Sequence, residues 1–166
     1  MNKSEQTKQG LKRSFESGTS KKASIVCYGY RKDKRGALII NEQEAEAVRK
    51  IYAAYLEGKS LGKIADMLFA QNISSPSGKE KWNRETIDKV LSNEKYIGCV
   101  MLGKSRYENG KQVRTDMADR VTYMNSHPFI ISWEVFEAVQ MEKKKRSKTV
   151  NVGSKKNVRK IVEKSR

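Results

Sequence analysis

Side chains that carry covalent or proton-transfer chemistry are sparse in this sequence. His127 is its one histidine, and it precedes Pro128 in a turn-like stretch that suits a local structural role better than general-base work. A nucleophilic serine needs an activating base or a cluster of cations, and metal-assisted phosphoryl transfer needs converging carboxylates. Neither pattern is recognisable. A tyrosine nucleophile acting on a phosphodiester would want histidine and arginine around it, and no His-x-x-Arg occurs. Cys27 and Cys99 lie outside any Cys-x-x-Cys and away from His127, so they predict neither a disulfide scaffold nor a zinc site. The reading is a chain with no catalytic residue, no metal and no cofactor of its own.

What the sequence does carry is positive charge, unevenly placed. Its 166 residues hold 35 Lys and Arg against 19 Asp and Glu, for a net charge of +16. Residues 1–35 have ten basic and three acidic side chains, residues 142–166 have eleven and two, and the middle, 36–141, has fourteen of each. A neutral body flanked by two cationic ends attracts a polyanion at long range. Nucleic acid fits best, because such ends release counterions condensed on phosphates. An anionic membrane surface fits less well, since neither end sets an apolar face opposite its lysines. No run approaches the roughly 18 apolar residues of a membrane span, and the N-terminus has no signal-peptide core. A soluble, cytoplasmic protein is the expectation. Pairs of solvated tails remain the competing account of the charge.

The elements that must position those cations follow from apolar spacing. Residues 3–17 place Leu11 and Phe15 among Lys8, Lys12 and Arg13, a helix with a thin apolar stripe that Gly18 stops. Ile25 to Tyr30 predicts a short strand and Lys32 to Gly36 a turn. Asn41 with Glu44 three residues later spells a capping box. Ala45, Val48, Ile51, Tyr52, Tyr55 and Leu56 then share one helix face until Gly58. Ser60 caps a second helix with Leu61, Ile64, Ala65 and Leu68 inward, and Asn72 closes it in a left-handed conformation. Pro76 and Gly78 keep 73–80 out of regular helix. Asn83 caps a third helix that buries Ile87, Val90 and Leu91 and leaves Arg84, Glu85, Asp88 and Lys89 outward.

Further on, Tyr96 to Leu102 predicts a strand, 103–120 a charged loop, and Val121 to Met124 a returning strand. Ser132 starts a last helix with Val135, Phe136 and Val139 inside. Trp82 and Trp133, each at a helix entry, are expected in the core. The fold class is α+β: a small helical domain with a helix-turn-helix-like pair and short antiparallel strands. The connector within that pair, about ten residues, exceeds the usual three or four. A helical pair in a domain that binds no nucleic acid is the alternative.

The order of the short motifs says more than any one of them. Tyr28-Gly29-Tyr30-Arg31 comes first, then Glu44-Ala45 through Val48-Arg49-Lys50-Ile51-Tyr52, then Gly58-Lys59-Ser60 with Ile64-Ala65 and Leu68. Pro76-Ser77-Gly78, Trp82, Ile87, Val90-Leu91-Ser92-Asn93-Glu94, Tyr96 and Gly98 follow. His127-Pro128 with Ile130-Ile131-Ser132, and Phe136 to Gln140, complete the series. Over residues 28–141 the sequence resembles the recombinase domain of large serine recombinases.

The resemblance implies the DNA-binding part of a site-specific recombinase, of the integrase or mobile-element transposase type. It implies that 1–18 is the end of a linker helix from a catalytic domain, 19–31 a DNA-contacting arm, 28–141 the DNA-binding domain, and 142–166 a basic C-terminal helix or tail. The module with the serine nucleophile is expected ahead of residue 1. Residues 147–166 have no cysteine, so the zinc ribbon that commonly follows in that family is not expected within them. The expectation is a domain separated from its enzyme.

On that basis the third helix enters the major groove of duplex DNA, with Asn83, Arg84, Thr86 and Lys89 as readers and Lys79 and Lys81 on phosphate. The arm, with Lys21, Lys22, Tyr28 and Arg31, follows the adjacent minor groove. Double-stranded DNA and other recombinase subunits are the expected partners, with no membrane. A second reading is an RNA-binding or ribosome-associated module, although no GxxG loop or aromatic strand motif supports it. A third is an interaction domain whose neutral body contacts recombinase subunits.

Overall fold

The structure is a computed structural model and describes residues 2–16, 25–102, 104–116 and 120–147. In chain order the elements are α1 (Lys3–Glu16), β1 (Tyr30–Lys32), β2 (Leu38–Ile40), α2 (Glu42–Leu56), α3 (Leu61–Ala70) and α4 (Arg84–Leu91). A 3-10 turn (Glu94–Ile97) then precedes β3 (Val100–Leu102), β4 (Ser105–Glu108), β5 (Lys111–Arg114) and β6 (Val121–Tyr123). A last helix, α5, covers 133–147. Helices with short antiparallel strands make this an α+β chain, as its sequence predicts. No helix among the described residues is long and apolar enough to cross a membrane.

Two compact units divide the chain, one of Met1–Val48 with Glu94–Ile130, the other of Arg49–Asn93 with Ile131–Arg166. In the first, Tyr30 is the centre. It is 2% exposed, and its hydroxyl reaches the carbonyls of Pro128 at 2.8 Å and Lys95 at 3.0 Å. Its ring stacks on Tyr96 and meets His127 edge-on. Leu38, Ala45, Val48, Cys99 and Ile130 complete the core. β1 and β2 pair antiparallel, Tyr30 opposite Ile40, around a turn that the Asp33 carboxylate closes by accepting the amides of Arg35 and Ala37.

Several expectations for this unit need correction. The Ile25–Tyr30 strand starts only at Tyr30, because Gly29 turns the chain with φ +96° and buries its backbone against Ile130. The Tyr96–Leu102 strand starts only at Val100. Glu94–Ile97 is a 3-10 turn, and Gly98, at φ +75°, has the His127 carbonyl where a Cβ would stand. Residues 103–120 are not simply a loop. β4 and β5 form a hairpin, Glu108 opposite Lys111, with both turn residues Asn109 and Gly110 at positive φ. Asn-Gly is the preferred pair for such a turn, and its backbone twist matches that of the strands. β6 does return to pair antiparallel with β3. The capping box is not closed by Glu44, whose carboxylate accepts the Gly29 amide instead.

In the second unit the core is Ile51, Tyr52, Tyr55, Ile64, Leu68, Ile87, Leu91 and Val139. The Tyr52 hydroxyl, buried, donates to the Val90 carbonyl at 3.0 Å. Ser60 and Asn83 are N-caps of α3 and α4, and Asn72 closes α3 at φ +54°. Residues 71–83 join the two helices in a fixed path. Trp82 is buried, with its indole N–H on the Ile73 carbonyl at 2.9 Å, and buried Ser75 exchanges hydrogen bonds with Lys79. Two expected core residues are outside. Leu56 is 41% exposed at the last turn of α2, and Trp133, 51% exposed, sits on the first helical position of α5. The hydroxyl of Ser132 accepts the Val135 amide there, as a cap should.

Candidate nucleic-acid interface

The α4 entry is built by its cap. Asn83, in extended conformation at φ −82° and ψ 140°, accepts the Glu85 amide on Oδ1 at 2.9 Å. That bond fixes where the helix starts and therefore where Arg84 leaves it. Ile87, Val90 and Leu91 turn inward, and Arg84, Glu85 and Lys89 are exposed. Thr86 is half-buried on one flank. At 3.6 residues per turn Arg84 and Thr86 point about 160° apart around the axis, so the helix does not present both on one edge.

Charge on this surface is partly compensated within the protein. Lys89 pairs with Glu85 at 3.0 Å, and Lys81 with Asp66 at 3.0 Å. Both pairs are exposed, and such pairs are worth roughly 0–1 kcal/mol, so phosphate can replace either carboxylate at small cost. No carboxylate among the described residues pairs with Arg84, and Lys79 is also exposed. The Asn83 side-chain oxygen is occupied as a cap, which leaves its amide nitrogen as the donor to an outside group.

In the other unit, Arg31 is exposed at the middle of β1, opposite Ile39, and Lys32 beside it is exposed too. Tyr28 is half-buried. Burial first, then the Glu44 charge, pushes its hydroxyl above the ordinary tyrosine range and keeps it a protonated donor. The segment leading to it is tied down where Lys95 Nζ donates to the Ile25 carbonyl at 2.6 Å. Lys21 and Lys22 lie outside the described residues. Lys111 and Arg114, within the stretch expected to be a charged loop, are both exposed on a β-hairpin strand. The Asn109-Gly110 pair between alternating residues is the signal that would have shown them.

Part of the C-terminal charge is committed to structure. Lys143 pairs with Asp88 at 2.7 Å. Arg146 donates to the carbonyls of Lys59 and Tyr55 and lies 4.0 Å from the centre of the Tyr55 ring.

A small α+β domain with a capped, cation-bearing helix after a clamped connector is the class these features define. The family model described as Recombinase matches residues 42–146, and the chain belongs to that family, the recombinase domain of large serine recombinases. Two solved structures are similar. One is a crystal structure of an LSR–DNA complex, with 23% identity and a TM-score of 0.57 over 86% of this chain and 38% of that one. The other concerns sequence requirements of the Listeria innocua prophage attP site, with 24% identity and a TM-score of 0.53 over 84% of this chain and 51% of that one. They share its fold, and this chain spans at most about half of their length.

Proposed function

We propose that this chain binds double-stranded DNA at recombination attachment sites, as the non-catalytic part of a serine site-specific recombinase. The observation that carries the reading is the Asn83-capped start of α4, which holds Arg84 outward with no carboxylate partner among the described residues. Arginine there suits a guanine edge. Lys79 and Lys81 on the connector suit phosphate, and Lys89 reaches it by giving up Glu85. Arg31, with Lys21 and Lys22, supplies the arm. Family membership supports the reading, as do the two similar proteins, one solved with DNA and one studied for its attP site. Strand cleavage belongs to a catalytic module of the full-length enzyme, whose subunits are the further partners, acting in the cytoplasm where the element's DNA lies.

The test starts with selection of bound duplexes from a randomised library. Anisotropy titrations then compare the selected duplex, a scrambled duplex, single-stranded DNA and an RNA hairpin over a salt series. The selected duplex should bind tightest, with log affinity falling linearly in log salt by about 0.9 per phosphate neutralised. Equal affinity for all four probes, or a preference for the RNA hairpin, overturns the proposal in favour of a general or RNA-binding module.

A further inference from the structure

A Cβ built on Gly62, in the first turn of α3, would lie 3.1 Å from Arg84 Nη2, 3.2 Å from Nε and 3.4 Å from Cζ. The Nε–Cζ–Nη2 edge of the guanidinium therefore occupies the space that any side chain at position 62 would fill. Nothing in the backbone asks for glycine there. Gly62 is in ordinary helix and is not among the glycines with positive φ. In a helix glycine is poorer than alanine, because it loses more backbone freedom on folding. The three heavy atoms nearest to such a methyl group all belong to the Arg84 guanidinium.

We infer that Gly62 is a positioning residue for Arg84. Its bare backbone seats one edge of the guanidinium against α3, and so fixes the direction in which the other N–H donors leave the protein. The neighbouring cations Lys81 and Lys89 are steadied by ion pairs, whereas Arg84 has no carboxylate partner among the described residues and is steadied by this contact. A long side chain held in one direction loses less freedom when it meets its target, and it meets a base edge at a defined angle. The consequence for sequence preference rests on the DNA-binding reading above. The seat itself does not.

The experiment uses the whole chain in four forms: unchanged, Gly62→Ala, Arg84→Ala, and both together. The first readout is the heteronuclear NOE of the Arg84 Nε–H in the free protein. It should be high in the unchanged chain and fall in Gly62→Ala, while the thermal midpoint stays level or rises, since the displaced group is a flexible side chain. The second is the ratio of affinities for the selected and scrambled duplexes. Gly62→Ala should lower that ratio roughly threefold to tenfold when Arg84 is present and leave it unchanged when position 84 is already alanine. An unchanged NOE in Gly62→Ala overturns the seat, as does an equal effect on the ratio in both backgrounds. A falling NOE combined with no effect of Arg84→Ala on the ratio confirms the seat and overturns the reading of Arg84 as a base contact.

Discussion

The Glu44 carboxylate accepts the Gly29 amide at 2.8 Å, and the Asn41 amide donates to the Gly29 carbonyl at 2.9 Å. Both polar groups of one buried glycine are thus satisfied by the start of α2. Glu44→Ala leaves the amide without its acceptor, and an unpaired buried donor costs about 1–3 kcal/mol. Glu44→Gln keeps a carbonyl oxygen at the same place and should lose less, because a neutral acceptor is about half as strong as a carboxylate. Urea unfolding of the three proteins should rank them unchanged, Gln, Ala. Coincident midpoints for Ala and the unchanged chain would show that the latch contributes nothing.

Gly29 itself is the tighter constraint. Its φ is +96°, and a Cβ would stand 2.8 Å from Ile130 Cδ1, with Tyr96 and Val48 just beyond. Gly29→Ala therefore meets strain and overpacking together, and overpacking alone costs about 1–3 kcal/mol. Ile130→Val removes the clashing atom. By itself it should cost about 0.5–1.5 kcal/mol, but in the Gly29→Ala background it should cost less or recover stability. Denaturation of the double-mutant cycle measures the difference, and strict additivity would count against the contact.

His127 gives a pH dependence whose sign follows from its bonds. Nε2 lies 2.6 Å from the Lys95 carbonyl, which can only accept, so Nε2 carries the proton and Nδ1 accepts from the Ser126 hydroxyl at 2.6 Å. Burial, with the Lys95 ammonium adding to it against the pull of the Lys95 carbonyl, holds the imidazole below the usual histidine range. The folded state thus favours the neutral ring. The unfolded chain takes up a proton near pH 6.5 while the folded chain does not, so this contribution is complete above that pH and is lost as pH falls below it. Unfolding free energies between pH 7.5 and 5 should decline more steeply for the unchanged chain than for His127→Gln. Parallel curves would refute the assignment. With a single histidine in the sequence, no other imidazole can blur the result.

Where local signals suffice, the sequence made the structure legible. Ser60, Asn72 and Asn83 bound their helices as caps because side-chain oxygens and left-handed backbone act within a few residues. Ile64, Leu68, Ile87, Val90 and Leu91 are buried where helical spacing places them. Glu44 departs from its capping-box role because a distant amide, that of Gly29, needed an acceptor more, and sequence spacing carries no information on that competition. Trp133 is exposed at the first helical position of α5, and hydrophobicity alone does not say whether another surface reaches a residue there. At the candidate interface the outward placement of Arg84 and Lys89 was legible, but their partners were not. The ion pair of Lys81 joins residues fifteen apart, and the contact of Arg84 with Gly62 joins two helices across a connector whose path is set by Trp82 and Ser75.

Arg146 separates structural charge from charge available to a polyanion. Its Nη1 and Nη2 donate to the carbonyls of Lys59 and Tyr55 at 2.9 and 2.8 Å, its Nε donates to Glu142, and its guanidinium lies over the Tyr55 ring. It therefore serves carbonyls at the end of α2, where a cation also opposes the negative end of the helix. That same hydrogen bond holds the Glu142 carboxyl below the usual carboxylate range. A lysine cannot reach two carbonyls, a carboxylate and a ring face at once, since its ammonium is one compact point on a flexible stem. Arg146→Lys should cost about 1–3 kcal/mol in urea unfolding. Because net charge is kept, its affinity for a scrambled duplex and the slope of that affinity with salt should stay where they were. If instead DNA affinity falls while stability holds, Arg146 is a phosphate contact and its bonds to Tyr55 and Lys59 are incidental.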